Sequence, residues 1–336
     1  MATSARFSVA WIRCLTVLGL CAGYPPAQGA ELPLGETSML RFAEPREGVL
    51  AITRRDEYFR QMSPFDRQVR LKTDRDVSTD ELLAFIAGNV VPWQSSDRER
   101  VTSLVASLSA KLVPWKLKLP PEILLVKTTG REEANAAYCR GATIVLPQAM
   151  IDSGHDRLAH VLAHEVFHVL SSHNPELREA LYAAIGFKAC NDVPLPPPLT
   201  ERKITNPDAP VNDHFITVQW NGQSVDAMPV LFSKAEHYDP VRGGNIFSLM
   251  SFKLMVLAGA DATRQAALVA GKPVLLDPAS VPDFAAQVGR NTQYLIHPEE
   301  ILADNFVFLV NGRIDIPSRD VVKKMAHVLR PERQAP

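Results

Sequence analysis

From His155 to His173 the chain runs without a glycine or proline, between Gly154 and the pair Asn174-Pro175. A helical pattern fills that stretch and stops where proline removes an amide donor and clashes with the preceding turn. The spacing therefore predicts one long helix, and the rest of the fold must pack around it. Inside it lies His164-Glu165-Val166-Phe167-His168. The i, i+4 spacing sets both imidazoles on one face, with Glu165 one rotation step away, a geometry that holds one zinc ion by two nitrogens. Chance would place this pattern about 0.01 times in a chain of this composition.

The flanking sequence predicts mixed structure. Ser78-Thr79-Asp80-Glu81 reads as a capping box opening a helix, and Ser96-Asp97-Arg98-Glu99 does the same for a helix through Leu112. Two short aliphatic runs, 122–126 and 142–146, are bounded by Pro or Gly and read as strands. A second helix follows Pro175 through Leu181 and Ile185. Residues 191–212 hold six prolines and read as a stiff loop or lid, a candidate rim for a cleft. Asn221-Gly222 between 215–220 and 224–228 is a strong hairpin signal, and helices close the chain after Pro298 and over 318–329. Residues 31–75 are charged and mixed, with patterns too short for single elements. The expected fold is α+β, with the long helix beside a small sheet. Its parts would be a helix-rich region over 31–190, the Pro-rich loop over 191–212, and a mixed region over 213–336.

Composition narrows the function. The 336 residues are 46% apolar and 22% charged, enough to bury a core, and the net charge is -1. No long-range field would draw such a chain to phosphate backbones, so nucleic acid is not an expected partner. No window reaches the roughly 18 apolar residues of a spanning helix, because Arg13 interrupts the longest run. Residues 1–30 instead have the order of a secretory signal: Arg6 and Arg13, an apolar run from Cys14 to Ala22, then Pro25-Pro26 and Ala27-Gln28-Gly29-Ala30. Alternatives are an uncleaved anchor or a lipoprotein cut before Cys21, where the bulky Leu20 is a poor fit. The expectation is a periplasmic or secreted protein without stable membrane insertion once the signal is removed. Cys139 and Cys190 would then be the remaining cysteines, either bridged, worth about 3 to 4 kcal/mol for a loop of this length, or left as two separate thiols.

A catalytic zinc takes three protein ligands and keeps a fourth position for water. The metzincin pattern fails here: its glycine and third histidine would fall at Ser171 and Asn174, and His173 is out of register by one. Residues 297–305 instead supply Glu300 and Asp304 at an interval of four. With His164-Glu165-x-x-His168 followed by Glu300-x-x-x-Asp304, the chain resembles the gluzincin metallopeptidases. That resemblance implies zinc held by His164, His168 and Glu300, with Asp304 accepting a hydrogen bond from one ligating imidazole. The residues agree, since Glu300 and Asp304 share a helix face and a carboxylate behind a metal-bound histidine fixes its tautomer. Pro298 at the first helical position, with His297 as cap, puts Glu300 in the first turn, where the helix dipole favours its ionised form. The interval of about 130 residues between His168 and Glu300 is longer than in the better known members. The whole chain also looks like a group of uncharacterised exported bacterial proteins carrying Glu-Glu-Ile-Leu-Ala-Asp-Asn.

The roles follow from charge. Glu165 would take the proton of a zinc-bound water and pass it to the leaving amine of a peptide or protein substrate. The run 141–146 is a candidate edge strand for pairing with an extended substrate, or an ordinary core strand. Tyr294, Tyr238, His237, His214 and His297 have the chemistry to stabilise an oxyanion, Tyr294 standing nearest the ligand helix in sequence. His160 cannot join His164 and His168 on one tetrahedral ion, because i and i+8 lie about 12 Å apart along a helix. Two other readings share the motif: a binding or scaffold protein with a structural zinc closed by His297 or His173, and a zinc amidase acting on cell-wall amides.

Overall fold

The computed structural model describes residues 31–330, so the secretory-signal pattern of residues 1–30 lies outside the described residues. The chain opens with a hairpin, β1 (Glu31–Leu34) and β2 (Ser38–Phe42), followed by four helices, α1 (Pro45–Ile52), α2 (Glu57–Gln61), α3 (Pro64–Leu71) and α4 (Thr79–Ala87). Ser78 caps α4 as expected: its hydroxyl accepts the amide of Glu81, whose carboxylate accepts the amide of Ser78. The next helix, α5 (Ser95–Leu112), starts one residue before the expected box. Its cap is Gln94, whose amide is taken by Asp97, because Asp97 sits three residues on and is anchored by the buried Lys127.

Next come β3 (Glu122–Thr128), β4 (Tyr138–Arg140), β5 (Thr143–Pro147) and the short α6 (Gln148–Ile151), then the long helix α7 (His155–His173) and α8 (Pro175–Ala184). Both ends of α7 fall where glycine and proline place them. A sheet in the order β1-β2-β3-β5-β4 forms from this half, parallel through β2, β3 and β5 and antiparallel at both margins. The run 142–146 is therefore not an edge strand. Gly141, at φ 59°, turns the chain so that β4 pairs outside β5 and becomes the margin.

The second sheet is antiparallel, with β6 (Phe187–Ala189), β7 (His214–Trp220), β8 (Gln223–Ser233) and, after α9 (Ile246–Leu249), β9 (Met250–Ala258) as its main strands. Asn221 and Gly222 both take positive φ between β7 and β8, the turn that a right-twisted two-residue hairpin requires. Helices α10 (Pro282–Val288), α11 (Pro298–Val310) and α12 (Arg319–Leu329) complete the fold, which is α+β. No helix among the described residues is long and apolar enough to cross a membrane.

One hydrophobic core joins the two sheets. Leu40, Leu125 and Ile144 enter it from the first, and Ile216, Val218 and Leu254 from the second. At its centre Phe167 of α7 meets Phe306 of α11, ring centroids 5.6 Å apart. Truncating either ring would cost about 3–5 kcal/mol and loosen the spacing of the two helices that carry the site. A separate buried ion cluster ties the irregular segment after residue 190 to the first half. Arg70 of α3 forks onto Glu133 at 2.6 and 2.9 Å and pairs with Asp66, whose other oxygen accepts the Thr205 amide at 3.0 Å.

Cys139 and Cys190 are both free thiols. The bridged alternative is thus corrected: Cys139 lies under α7 with its Sγ 3.2 Å from the Glu165 carbonyl, while Cys190 packs with Val193, Leu195 and Phe215 in another cluster.

Candidate active site

Helix α7 turns its apolar residues, among them Leu162, Val166 and Phe167, into the core, and this rotation leaves His164 and His168 facing α11. Pro298 starts α11 and His297 caps it, the His297 Nδ1 accepting the Glu299 amide at 3.2 Å. Burial lowers the His297 pKa to about 4, with nearby His214 adding to the effect, so this imidazole stays neutral and keeps the lone pair the cap needs. The cap directs the first turn of α11 at α7.

There Glu300 Oε2 lies 3.1 Å from His164 Nε2 and 3.6 Å from His168 Nε2. Three protein ligands on a tetrahedral zinc with bonds near 2.0–2.1 Å would stand about 3.3 Å apart, so these distances suit one ion. A second observation supports the fit: His168 Nε2 is buried without a hydrogen-bond partner. A buried nitrogen left so costs about 1–3 kcal/mol unless something occupies its lone pair. The far nitrogens are both held by carboxylates. His164 Nδ1 lies 3.0 Å from Asp304 Oδ1, and His168 Nδ1 lies 2.9 Å from Glu299 Oε1. Each Nδ1 thus faces a carboxylate that accepts its proton, so each Nε2 would be the nitrogen to present a lone pair once a metal cation takes the place of a proton there.

The charges agree. Burial alone would push Glu300 up, but His168 and His164 outweigh it and hold its carboxyl well below the usual range. Burial opposes charge on His164, and its bonds to Asp304 and Glu300 overcome that, raising it to about 9. This mutual pull marks a point where positive charge is favoured between the three side chains. Burial raises Glu165, which sits beside the pair with Oε2 unpartnered. A carboxylate whose proton affinity is raised by burial, with one oxygen unpartnered, is suited to accept a proton.

Among the other oxyanion candidates, only Tyr294 lies against the ligand set, its ring 6.4 Å from that of His164. Tyr238 is buried in the cluster against which Tyr294 packs, its ring against Phe65 and its hydroxyl toward the Gly244 carbonyl, and His237 is exposed. His214 is engaged by Asp213 and Glu179. His173 is exposed at the end of α7. Neither His173 nor His297 belongs to the group of ligand atoms formed by His164, His168 and Glu300, which lie within 4.8 Å of one another. His160 is bound to the same Asp304 oxygen as His164, at 3.2 Å, which places it behind the site.

Three residues that sequence reasoning did not single out also converge here. Glu299 accepts from His168, from Ser171 at 2.8 Å and from Tyr182 at 2.5 Å, a buried carboxylate devoted to one imidazole. Asn206 donates to Glu300 Oε1 at 2.6 Å. Asp208 accepts the Cys139 amide at 2.6 Å and forms a close group with Glu165 and Cys139. The pair Glu299-Glu300 was a visible signal for the first; nothing local marks the other two.

A helix with paired imidazoles, completed by a glutamate from a second helix, is an arrangement able to hold one metal ion by three side chains. Residues 95–189, from the start of α5 to the end of β6, match the family model described as Peptidase family M48, which supports a zinc metallopeptidase family for this chain. Glu300 and Asp304 lie beyond the matched segment, so the geometry alone brings them in. No curated protein and no solved structure matches.

Proposed function

We propose that this chain is an exported zinc-dependent metallopeptidase that hydrolyses peptide bonds in peptide or protein substrates. His164, His168 and Glu300 would hold one zinc ion, and the unpartnered His168 Nε2 pointing at the same place as Glu300 Oε2 is the observation that carries the reading. When bound, the ion lowers the pKa of a coordinated water toward neutrality and polarises the scissile carbonyl. Glu165 accepts the proton of the attacking water as its oxygen bonds to the carbonyl carbon. Tyr294 donates to the oxygen that gains charge. Glu165 then delivers its proton to the amide nitrogen as the C–N bond breaks, and the second water proton passes from the new carboxyl to the amine, leaving a carboxylate and an ammonium group. Glu299 and Asp304 keep the two imidazoles in the tautomer that presents Nε2.

Three ligands rather than four favour catalysis over a structural site, since His173 and His297, the expected closing ligands, do not join the group. The proposed location outside the cytoplasm is supported by the order of charges and apolar residues over 1–30. The test is Glu165→Gln: the variant should retain near one zinc per chain and lose cleavage of an unfolded protein by about 10²–10⁴-fold, the usual contribution of a general base. Undiminished turnover in that variant would remove Glu165 from the mechanism. Turnover of peptidoglycan fragments in place of an unfolded protein would move the substrate to cell-wall amides.

A further inference from the structure

The segment 206–211 crosses the site while both of its ends are pinned elsewhere. Upstream, the Ile204 amide bonds to the Leu231 carbonyl at 3.0 Å and the Thr205 amide to Asp66 at 3.0 Å. Downstream, the carbonyls of Asn212 and Asp213 accept the amides of Val193 and Cys190, each at 2.8 Å. Between these pins two side chains reach down. Asn206 grips Glu300, and Asp208 grips Cys139.

The second contact is informative because of where Cys139 stands. It is the middle residue of β4, the marginal strand beside the proposed general base. In an antiparallel pair the N–H and C=O of one residue face the same side. The Cys139 amide bonds to Asp208 rather than to β5, so Cys139 is the β4 residue turned outward, the one to which an added strand would bond. Asp208 takes that hydrogen bond. Two cavities flank the segment, one lined by Ala137, Met250, Tyr294 and Ile296, the other by Ser172, Arg178, Tyr182 and His297, and Asp208 lines both. Residues 206–211 thus stand between the two cavities, with Asp208 common to both linings.

We infer that residues 206–211 are a self-inhibitory strap that occupies the place of an extended substrate: Asp208 stands in for a substrate carbonyl on the outward amide of β4, and Asn206 locks onto Glu300. Substrate entry requires the strap to swing out about its pinned ends. This rests on the peptidase reading of the site, since it takes β4 as the substrate-binding margin.

The test uses the cleavage-deficient Glu165→Gln protein and a fluorescein-labelled unfolded casein, with binding read by fluorescence polarisation. Adding Asp208→Ala should leave zinc content unchanged and tighten binding about tenfold or more, because the substrate no longer competes with the strap's bond to the Cys139 amide. In the Glu165 background the same substitution should raise kcat/KM by a similar factor. Unchanged or weaker binding with zinc retained overturns the strap and leaves the peptidase reading in place. No casein binding by either protein, with zinc retained, overturns both. Should Asp208→Ala fail to fold, hydrogen exchange on the Glu165→Gln protein decides: saturating casein should speed exchange of amides in 206–211, and slowed exchange there would overturn the inference.

Discussion

The two helices that carry the ligands and the strap that lies over them are both ordered around the same few atoms, yet they are built differently. Helices α7 and α11 hold their polar residues by rotation: bury Phe167 and Phe306, and His164, His168 and Glu300 must face each other. The strap has no regular structure and is held by single side-chain bonds and by the ion cluster of Arg70, Asp66 and Glu133 at its upstream pin. One region is fixed by apolar area and the other by a handful of polar contacts. The first resists change everywhere along its length, and the second fails at a point.

That contrast predicts a hierarchy. Arg70→Ala should cost about 3–5 kcal/mol, because it leaves Asp66 and Glu133 buried without their cation. It should also free the Thr205 pin, seen as a lower denaturation midpoint together with faster exchange at Thr205. A loss below 1 kcal/mol would mean the cluster is not the anchor.

Next in size is Glu132, buried in the turn beside that cluster, whose pKa burial pushes up to about 7 from the usual 4.5. A carboxylate raised in the folded state withdraws stability as pH climbs from 4.5 through 7 and leaves it untouched below 4.5. Glu132→Gln should therefore stabilise the protein by about 2–3 kcal/mol at pH 8 and by almost nothing at pH 4. Equal effects at both pH values would place the cause elsewhere.

Smallest in free energy, and on the helical side of the comparison, is Glu299→Gln. Removing the carboxylate behind His168 should weaken zinc about 10–100-fold, with little change in the melting temperature of the zinc-free protein. Competition against a fluorescent chelator measures it, and unchanged affinity would detach Glu299 from the site.

The same contrast separates what the sequence made legible from what it hid. Gly154 and Pro175 bounded α7 to the residue, and the interval from Glu300 to Asp304 placed both carboxylates on one helix face, because these are local rules of backbone and rotation. Glu299 was visible as a second carboxylate beside Glu300, but nothing local tied it to His168. Its role comes from Tyr182 and Ser171, brought near by packing across more than a hundred residues. Asn206 and Asp208 lay in a segment whose prolines announced only a stiff loop; which groups it would meet depended on β4 and α11. Whether 142–146 was the margin of the first sheet or a core strand stayed open for a related reason. Three residues, Tyr138 to Arg140, are too few to display an alternating pattern, and only the Gly141 turn sets them outside β5.

Metal analysis of purified wild-type protein beside Glu300→Ala bears most directly on the site. Near one zinc per chain in the first and almost none in the second, at equal chelator activity, is the expected result. Full zinc occupancy in Glu300→Ala would contradict the assembly of α7 and α11 into one metal centre.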